Sequence, residues 1–118
     1  MQIETGLSDR LARFLDLAVS EAKVTAGNMA NIDTPGYRAQ GFDFAKEMRV
    51  ALSGLDSGRP SQVHFGDVDG LVSRPDGNNV SMDREGLNLA EAQLRFKTGV
   101  ALLRLENQRV MDAIHADK

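Results

Sequence analysis

An unbroken helical pattern from Leu7 to Ile32 meets the stretch Asn31-Ile32-Asp33-Thr34-Pro35-Gly36-Tyr37, which can only stop it. Pro35 disfavours helical angles at Thr34 and removes a backbone donor, while Gly36 takes positive φ without steric penalty. The pair fits positions i+1 and i+2 of a type II turn. Asn31, Asp33 and Thr34 carry short polar side chains able to bond the last helical backbone groups. Tyr37, the single tyrosine, follows as a flat anchor with one polar tip.

Upstream, Ser8 is placed to cap the helix, with Asp9 in the first turn where the helix dipole favours negative charge. Leu7, Leu11, Phe14, Ala18, Ala22, Thr25, Met29 and Ile32 recur at steps of three and four, which is a helical stripe. Leu15, Leu17, Val19 and Val24 lie off it, so the helix has apolar surface on a second side. Few other elements exist to cover that side, and a partner subunit is the expected cover.

After the turn, Asp43 to Leu52 reads as a short amphipathic helix with Phe44, Met48, Ala51 and Leu52 on one side. From Ser53 to Asn79 the glycines at 54, 58, 66, 70 and 77 and the prolines at 60 and 75 interrupt any period, giving a loop region. Within it, Gln62 to Phe65 and Leu71 to Ser73 are candidate strands paired across Gly66-Asp67-Val68-Asp69-Gly70. Asp76-Gly77, extended by Asn78-Asn79, is a turn signal.

The last helix is expected from Ser81 or Asp83, either of which can cap it. Gly86 and Gly99 weaken the run by about 1 kcal/mol each, yet the period persists. Leu89, Phe96, Val100, Leu103, Asn107, Val110 and Ile114 form one stripe, and Leu87, Ala90, Leu94, Ala101 and Leu105 form a second beside it. Asn107 either sets register or faces solvent. Arg84, Glu85, Glu91, Arg95, Lys97, Arg104, Glu106 and Arg109 alternate in sign, the pattern of a solvated or inter-subunit face. Helices of roughly 26 and 32 residues would span about 40 and 48 Å. The fold class that follows is all-α. Two long terminal helices pack as an antiparallel coiled-coil-like hairpin, with a short helix and a Gly-rich, partly β or irregular middle. The expected division is 1–34, 35–80 and 81–118.

Candidate chemistry is sparse. Asp67 and Asp69 near His64 lack the further oxygen ligands and distal glutamate of a calcium loop, and solvated turn carboxylates are the plainer reading. Asn79-Val80-Ser81 fits a glycosylation acceptor by spelling only. His115 sits at a helix end beside Asp112 and Asp117. No nucleophile, phosphate cradle or metal-ligating helix stands in a recognisable setting, so no enzyme, cofactor, metal site or small-molecule substrate is expected.

The 118 residues suit one domain. Five Phe, one Tyr and no Trp favour thin helical packing over a large aromatic core. A net charge of −3 with interspersed signs leaves no footprint for nucleic acid. Cysteine is absent, which removes disulfides and thiolate sites. Glu4 near the start, and Arg13 and Asp16 within the apolar run Leu11 to Val19, do not read as a secretory signal.

The pattern N-x-A-N-x-x-T-P-G-Y, filled by Asn28, Ala30, Asn31, Thr34, Pro35, Gly36 and Tyr37, resembles the N-terminal signature of the bacterial flagellar axial proteins. These are the rod, hook and hook-associated family. Arg74-Pro75-Asp76-Gly77-Asn78-Asn79-Val80 leading into Asp83-Arg84-Glu85, the Asp43-Phe44 region and the small middle insert are most similar to its short proximal rod members. The resemblance implies a structural subunit of the flagellar basal body, polymerising into a hollow rod across the periplasm. It implies Asn28 to Tyr37 as an assembly motif. The partners it implies are copies of this chain, other rod proteins, membrane-ring or rod-adaptor proteins and the flagellar type III export apparatus, which uses no cleaved peptide. On that reading Leu7, Leu11, Phe14, Met29, Ile32, Leu89, Leu94, Phe96, Val100, Leu103, Val110 and Ile114 serve helix packing or subunit contact. The competing class is a two-helix binding module that pairs into a small homodimer.

Overall fold

The computed structural model describes residues 6–58 and 62–116. Expectations placed on Glu4, Pro60 and Asp117 fall outside them. The chain is mostly helical, with α1 (Gly6–Ala30), α2 (Phe44–Ser57) and α3 (Met82–His115), plus a two-residue pair of strands, β1 (Gln40–Gly41) and β2 (Gly66–Asp67). It is elongated, 69 × 27 × 19 Å along its principal axes.

Helix α1 ends at Ala30, ahead of the proline. The Asn31 N–H then bonds the Asn28 carbonyl at 3.2 Å and the Ile32 N–H bonds that of Met29 at 3.3 Å, tightening the chain out of the α-helix. Ser8 lies inside α1, two residues beyond its first described residue, so it is not the cap expected from sequence. In α2 the cap is Asp43, whose carboxylate accepts from the Lys46 N–H at 3.1 Å, and the helix runs past Leu52 to Ser57. It packs against α1, with Phe14 and Phe44 edge to face at 5.4 Å between ring centroids. Leu17, off the sequence stripe, is only 2% exposed. The Leu17 side of α1 is thus closed within the chain, whereas Val19, also off the stripe, is exposed.

The expected strands at 62–65 and 71–73 do not form. Gly66–Asp67, read as the turn between them, is itself β2 and pairs antiparallel with β1, Gln40 opposite Asp67 and Gly41 opposite Gly66. The Val68 N–H extends the pairing to the Ala39 carbonyl at 3.1 Å. Residues just past the turn motif thus offer free backbone groups to this loop, and a partner distant in sequence replaces the local hairpin. Val72, in the second expected strand, is exposed.

Helix α3 is capped by Ser81, whose hydroxyl accepts from the Arg84 N–H at 3.3 Å. Its buried residues are Glu85, Ala92, Gly99 and Glu106, one every seven. On α1 the buried Leu11, Ala18 and Thr25 keep the same spacing. Gly99 lies against Phe14 and Leu15, and Arg95 reaches Glu21, so contacts descend α3 as they climb α1. The approach is close because the facing positions are small. A Cβ on Gly99 would lie 2.7 Å from Leu15 Cδ2 and 3.0 Å from Phe14 Cδ1. Gly99, read from the sequence as a weak point of the helix, is thus also a position of close contact with α1.

The inward seven-residue row also shifts the expected face of α3. Leu89, Val100, Leu103 and Val110 are half-buried beside it, while Phe96, Ile114 and Asn107 are exposed. Leu94 is exposed with Leu87, Ala90, Ala101 and Leu105 on the side turned from α1. On α1, Leu7 is exposed, and Phe14, Met29 and Ile32 are half-buried. The alternating charges of α3 are not all solvated either, because Glu85 and Glu106 are buried and Arg95 is half-buried.

Two glycine substitutions should separate propensity from packing. A Cβ added at Gly86 would meet no atom within 4 Å, so Gly86→Ala should raise stability by up to about 1 kcal/mol. Gly99→Leu should lower it by about 1–3 kcal/mol through overpacking. Thermal unfolding followed by circular dichroism at the helical band checks both.

Candidate assembly site

The turn motif is held by side chains acting as backbone. Asn28, buried on the last turn of α1, donates from Nδ2 to the Gln40 carbonyl at 2.8 Å and accepts from the Gln40 N–H at 3.0 Å. One side-chain amide thereby satisfies both groups of the β1 peptide, as a neighbouring strand would. The same oxygen accepts from the Tyr37 hydroxyl at 3.2 Å, which fixes the ring over the bend. Between them the chain turns at Thr34-Pro35-Gly36-Tyr37. The Tyr37 N–H bonds the Thr34 carbonyl at 3.2 Å and Gly36 has φ +76°, the geometry of a type II turn. Asn31 Nδ2 donates to the Gly27 carbonyl at 2.8 Å, and the Thr34 hydroxyl donates to Asn31 Oδ1 at 3.0 Å.

A second layer comes from the loop before α3. Asn78, fully buried, donates from Nδ2 to the carbonyls of Asn31 at 2.8 Å and Thr34 at 2.9 Å, a second bond to each beside the Thr34 and Tyr37 N–H groups that they already accept. Its Oδ1 accepts from the Val80 N–H at 2.8 Å. Asn79, also buried, accepts at Oδ1 from the Ala39 N–H at 2.6 Å, and its own N–H donates to the Tyr37 carbonyl at 3.3 Å. The Gly36 N–H bonds the Asp76 carbonyl at 2.8 Å. Arg74 donates to the Val80 carbonyl at 3.0 Å and to the Ile32 carbonyl. The end of α1, the bend and the start of α3 therefore form one polar knot with no charged pair at its centre.

Seven positions of the motif occupy this knot unequally. Asn28, Asn31, Thr34, Gly36 and Tyr37 make its bonds, Pro35 sets its φ, and Ala30 is exposed at the helix end. Comparison with known proteins bears on the same stretch of chain and its surroundings. The flagellar basal body rod protein FlgB of Salmonella typhimurium is 34% identical over 119 residues, covering 85% of this chain and 86% of that protein. FlgB of Bacillus subtilis is 31% identical over 108 residues, covering 82% and 84%. FlgB of Cereibacter sphaeroides is 31% identical over 128 residues, covering 96% and 99%. The chain belongs to the FlgB family of flagellar basal body rod proteins. No family model matches it.

The sequence placed Arg74, Asn78 and Asn79 in the family-like stretch before α3 but gave no bonding role to them or to Gln40. The adjacent asparagines read as an extended turn, and their partners lie about forty positions away, a separation that no local pattern reports. The spelling Asn79-Val80-Ser81 has a structural use instead, because Asn79 is buried and bonded and Ser81 caps α3.

Electrostatics gather between the helices. Arg95 of α3 pairs with Glu21 of α1, lies 3.9 Å from Glu91 and places its guanidinium 4.2 Å from the Phe44 ring centroid, joining all three helices. Burial raises the Glu21 pKa above its ordinary 4.5; Arg95 works against that shift and Glu91 adds to it. Glu21 Oε1 is buried without a hydrogen-bond partner. An adjoining cleft of about 570 Å³ is lined by Lys46, Glu47, His64, Arg84 and Asn88 among others. Within it His64 Nδ1 lies 3.5 Å from a Glu47 carboxylate oxygen and Arg84 pairs with Glu85 at 2.9 Å. Among the described residues no cluster of His, Cys, Asp and Glu could hold a metal ion, and no helix is long and apolar enough to cross a membrane.

Asn28→Ala leaves the Gln40 peptide and the Tyr37 hydroxyl without their partner and should cost about 1–3 kcal/mol. Tyr37→Phe, which removes one bond of that set, should cost about 1 kcal/mol. Denaturant unfolding checks the order. A carboxyl whose folded pKa is raised gives stability that is complete below its unfolded pKa and is lost as pH rises through the folded one. Stability of the wild type relative to Glu21→Gln should therefore fall as pH rises above about 4.5. Unfolding midpoints of both proteins between pH 4 and 7 measure the trend.

Proposed function

We propose that this chain is a structural subunit of the proximal flagellar basal-body rod, polymerising with other axial proteins into a hollow shaft that transmits torque and passes exported subunits. The observation that carries this reading is the similarity to FlgB over most of both chains. Residues 1–34 and 81–118 act as the rod core, an antiparallel coiled-coil-like hairpin, and 35–80 as its turn, short helix and loop insert. The work is mechanical, without a catalytic residue or cofactor. Asn28, Ala30, Asn31, Thr34, Pro35, Gly36 and Tyr37 set the angle at which α1 meets its surroundings. The partners are copies of this chain, other rod proteins, and ring or adaptor proteins at the base. The flagellar type III apparatus carries the chain outward.

The exposed apolar row of α3 supports the reading, since a rod subunit needs apolar surface left over after its own helices have packed. Leu7, Leu94, Phe96 and Ile114 then serve subunit contact, and Leu11, Phe14, Met29, Ile32, Leu89, Val100, Leu103 and Val110 serve packing within the hairpin.

The test is complementation in a flagellated bacterium lacking its own copy of this subunit, with swimming and basal-body occupancy as readouts. The wild-type chain should restore both. Gly36→Val, which forces a β-branched side chain into positive φ at about 1–3 kcal/mol, and Pro35→Ala should restore neither fully. A chain found as a discrete homodimer and absent from basal bodies would overturn the proposal.

A further inference from the structure

Residues 62–69, which include β2, form a strap along one wall of the cleft beside Arg95. One end of the strap is tied to the chain just past the bend. The Val68 N–H bonds the Ala39 carbonyl at 3.1 Å, and Asp67 accepts from the Gln40 side-chain amide. Two adjacent residues of different character hold the other end. Phe65 meets Phe42 edge to face at 5.5 Å between ring centroids, an apolar contact that no proton alters. His64 places Nδ1 3.5 Å from Glu47 Oε2 on α2. The two side chains of this pair have opposite surroundings, that of Glu47 being 6% exposed and that of His64 76%. Among the described residues no other ion pair or hydrogen bond reaches the Glu47 carboxylate.

We propose that the His64–Glu47 contact is a proton-operated clasp, which holds the strap against α2 when the imidazole is protonated and lets it open when the imidazole is neutral. The inference goes beyond the rod-subunit reading and does not depend on it. A carboxylate that has lost most of its water needs a partner. The place of Glu47 in the first turn of α2 favours its negative charge, so the imidazole supplies the variable half of the pair. A neutral ring carries one proton, on either nitrogen, and can turn a lone pair towards the carboxylate, whereas the protonated ring offers an N–H and a positive charge together. Histidines change charge between about pH 5 and 8. The clasp is therefore present below that range and is lost as pH rises through it. The remaining charges around the cleft do not replace it. They are Asp43 and Lys46 at the start of α2, Glu21 on α1, Arg84, Glu91 and Arg95 on α3 and Asp67 on β2. Among the described residues none of them lies within ion-pairing distance of His64 or Glu47, and Arg84 and Arg95 are taken by Glu85 and Glu21. Without the clasp the strap keeps the contacts of Phe65, Asp67 and Val68. Its opening parts β1 from the second strand of a two-stranded sheet and removes one wall of the cleft.

Amide hydrogen exchange at the Val68 N–H of the full chain reads the strap, expressed as protection relative to the intrinsic rate at pH 5.5 and at pH 7.5, under conditions where reclosing outruns chemical exchange. Protection in the wild type should exceed that in His64→Gln about twofold to fivefold at pH 5.5, the range of a part-exposed ion pair. At pH 7.5 the two should coincide. In a Glu47→Gln background, replacing His64 by Gln should change nothing at either pH. Comparing variants at one pH removes the titration of Glu21, which is common to all of them. His64 is exposed, so its replacement leaves the fold in place, and unchanged circular dichroism confirms this. A wild-type excess equal at both pH values assigns the ring a structural role and overturns the clasp. An excess absent at both, or one that survives Glu47→Gln, overturns it as well. Each of these results leaves the rod function standing, because complementation tests that separately.

Discussion

The structure depends on one buried amide. Asn28 stands at the last turn of α1, where a helix runs out of internal partners, and its side chain takes both hydrogen bonds of the Gln40 peptide and one from Tyr37. Asn28 itself is buried, while Gln40 and Tyr37 are half-buried and Thr34, Pro35 and Gly36 are exposed, so one interior amide holds a surface turn from within. Asn78 and Asn79 complete it from the loop before α3. Three asparagines thus tie the exit of one long helix to the entrance of the other. An amide suits the task because it donates and accepts at once without carrying charge into the interior.

Away from the knot, the helices are held by closeness more than by bulk. Ala18, Thr25, Ala92 and Gly99 are small enough for the backbones to approach, and the larger side chains Phe14 and Leu15 close over Gly99. Dispersion then acts over many short contacts. The consequence for function is geometric. A pair packed on small residues keeps leucines free for other surfaces, and on α3 Leu87, Leu94, Leu102 and Leu105 are exposed. The Arg95 cluster supplies orientation to this thin core, with one cation touching a carboxylate on α1 and an aromatic face on α2.

Much of this was legible beforehand. The stop at Pro35-Gly36, three helices near their observed places and the surplus of apolar helix surface all follow from period and turn chemistry, which are local properties. The face of α3 was not legible. Its heptad of Glu85, Ala92, Gly99 and Glu106 contains two acids, an alanine and a glycine, so a search for large apolar residues selects neighbouring rows instead. The short sheet was missed because β1 and β2 have two residues each and pair across α2. No alternation can register in so short a strand.

The sequence by itself determined where the backbone may be helical and where it must turn, because propensity, proline and glycine act within a few residues. It also carried the motif that marks the family. Only the tertiary structure decided which polar side chains replace backbone partners, which flank of α1 is closed by α2, and which leucines stay uncovered. Those outcomes depend on groups about forty positions apart arriving at one place, and burial there turns an ordinary asparagine into a fixed joint.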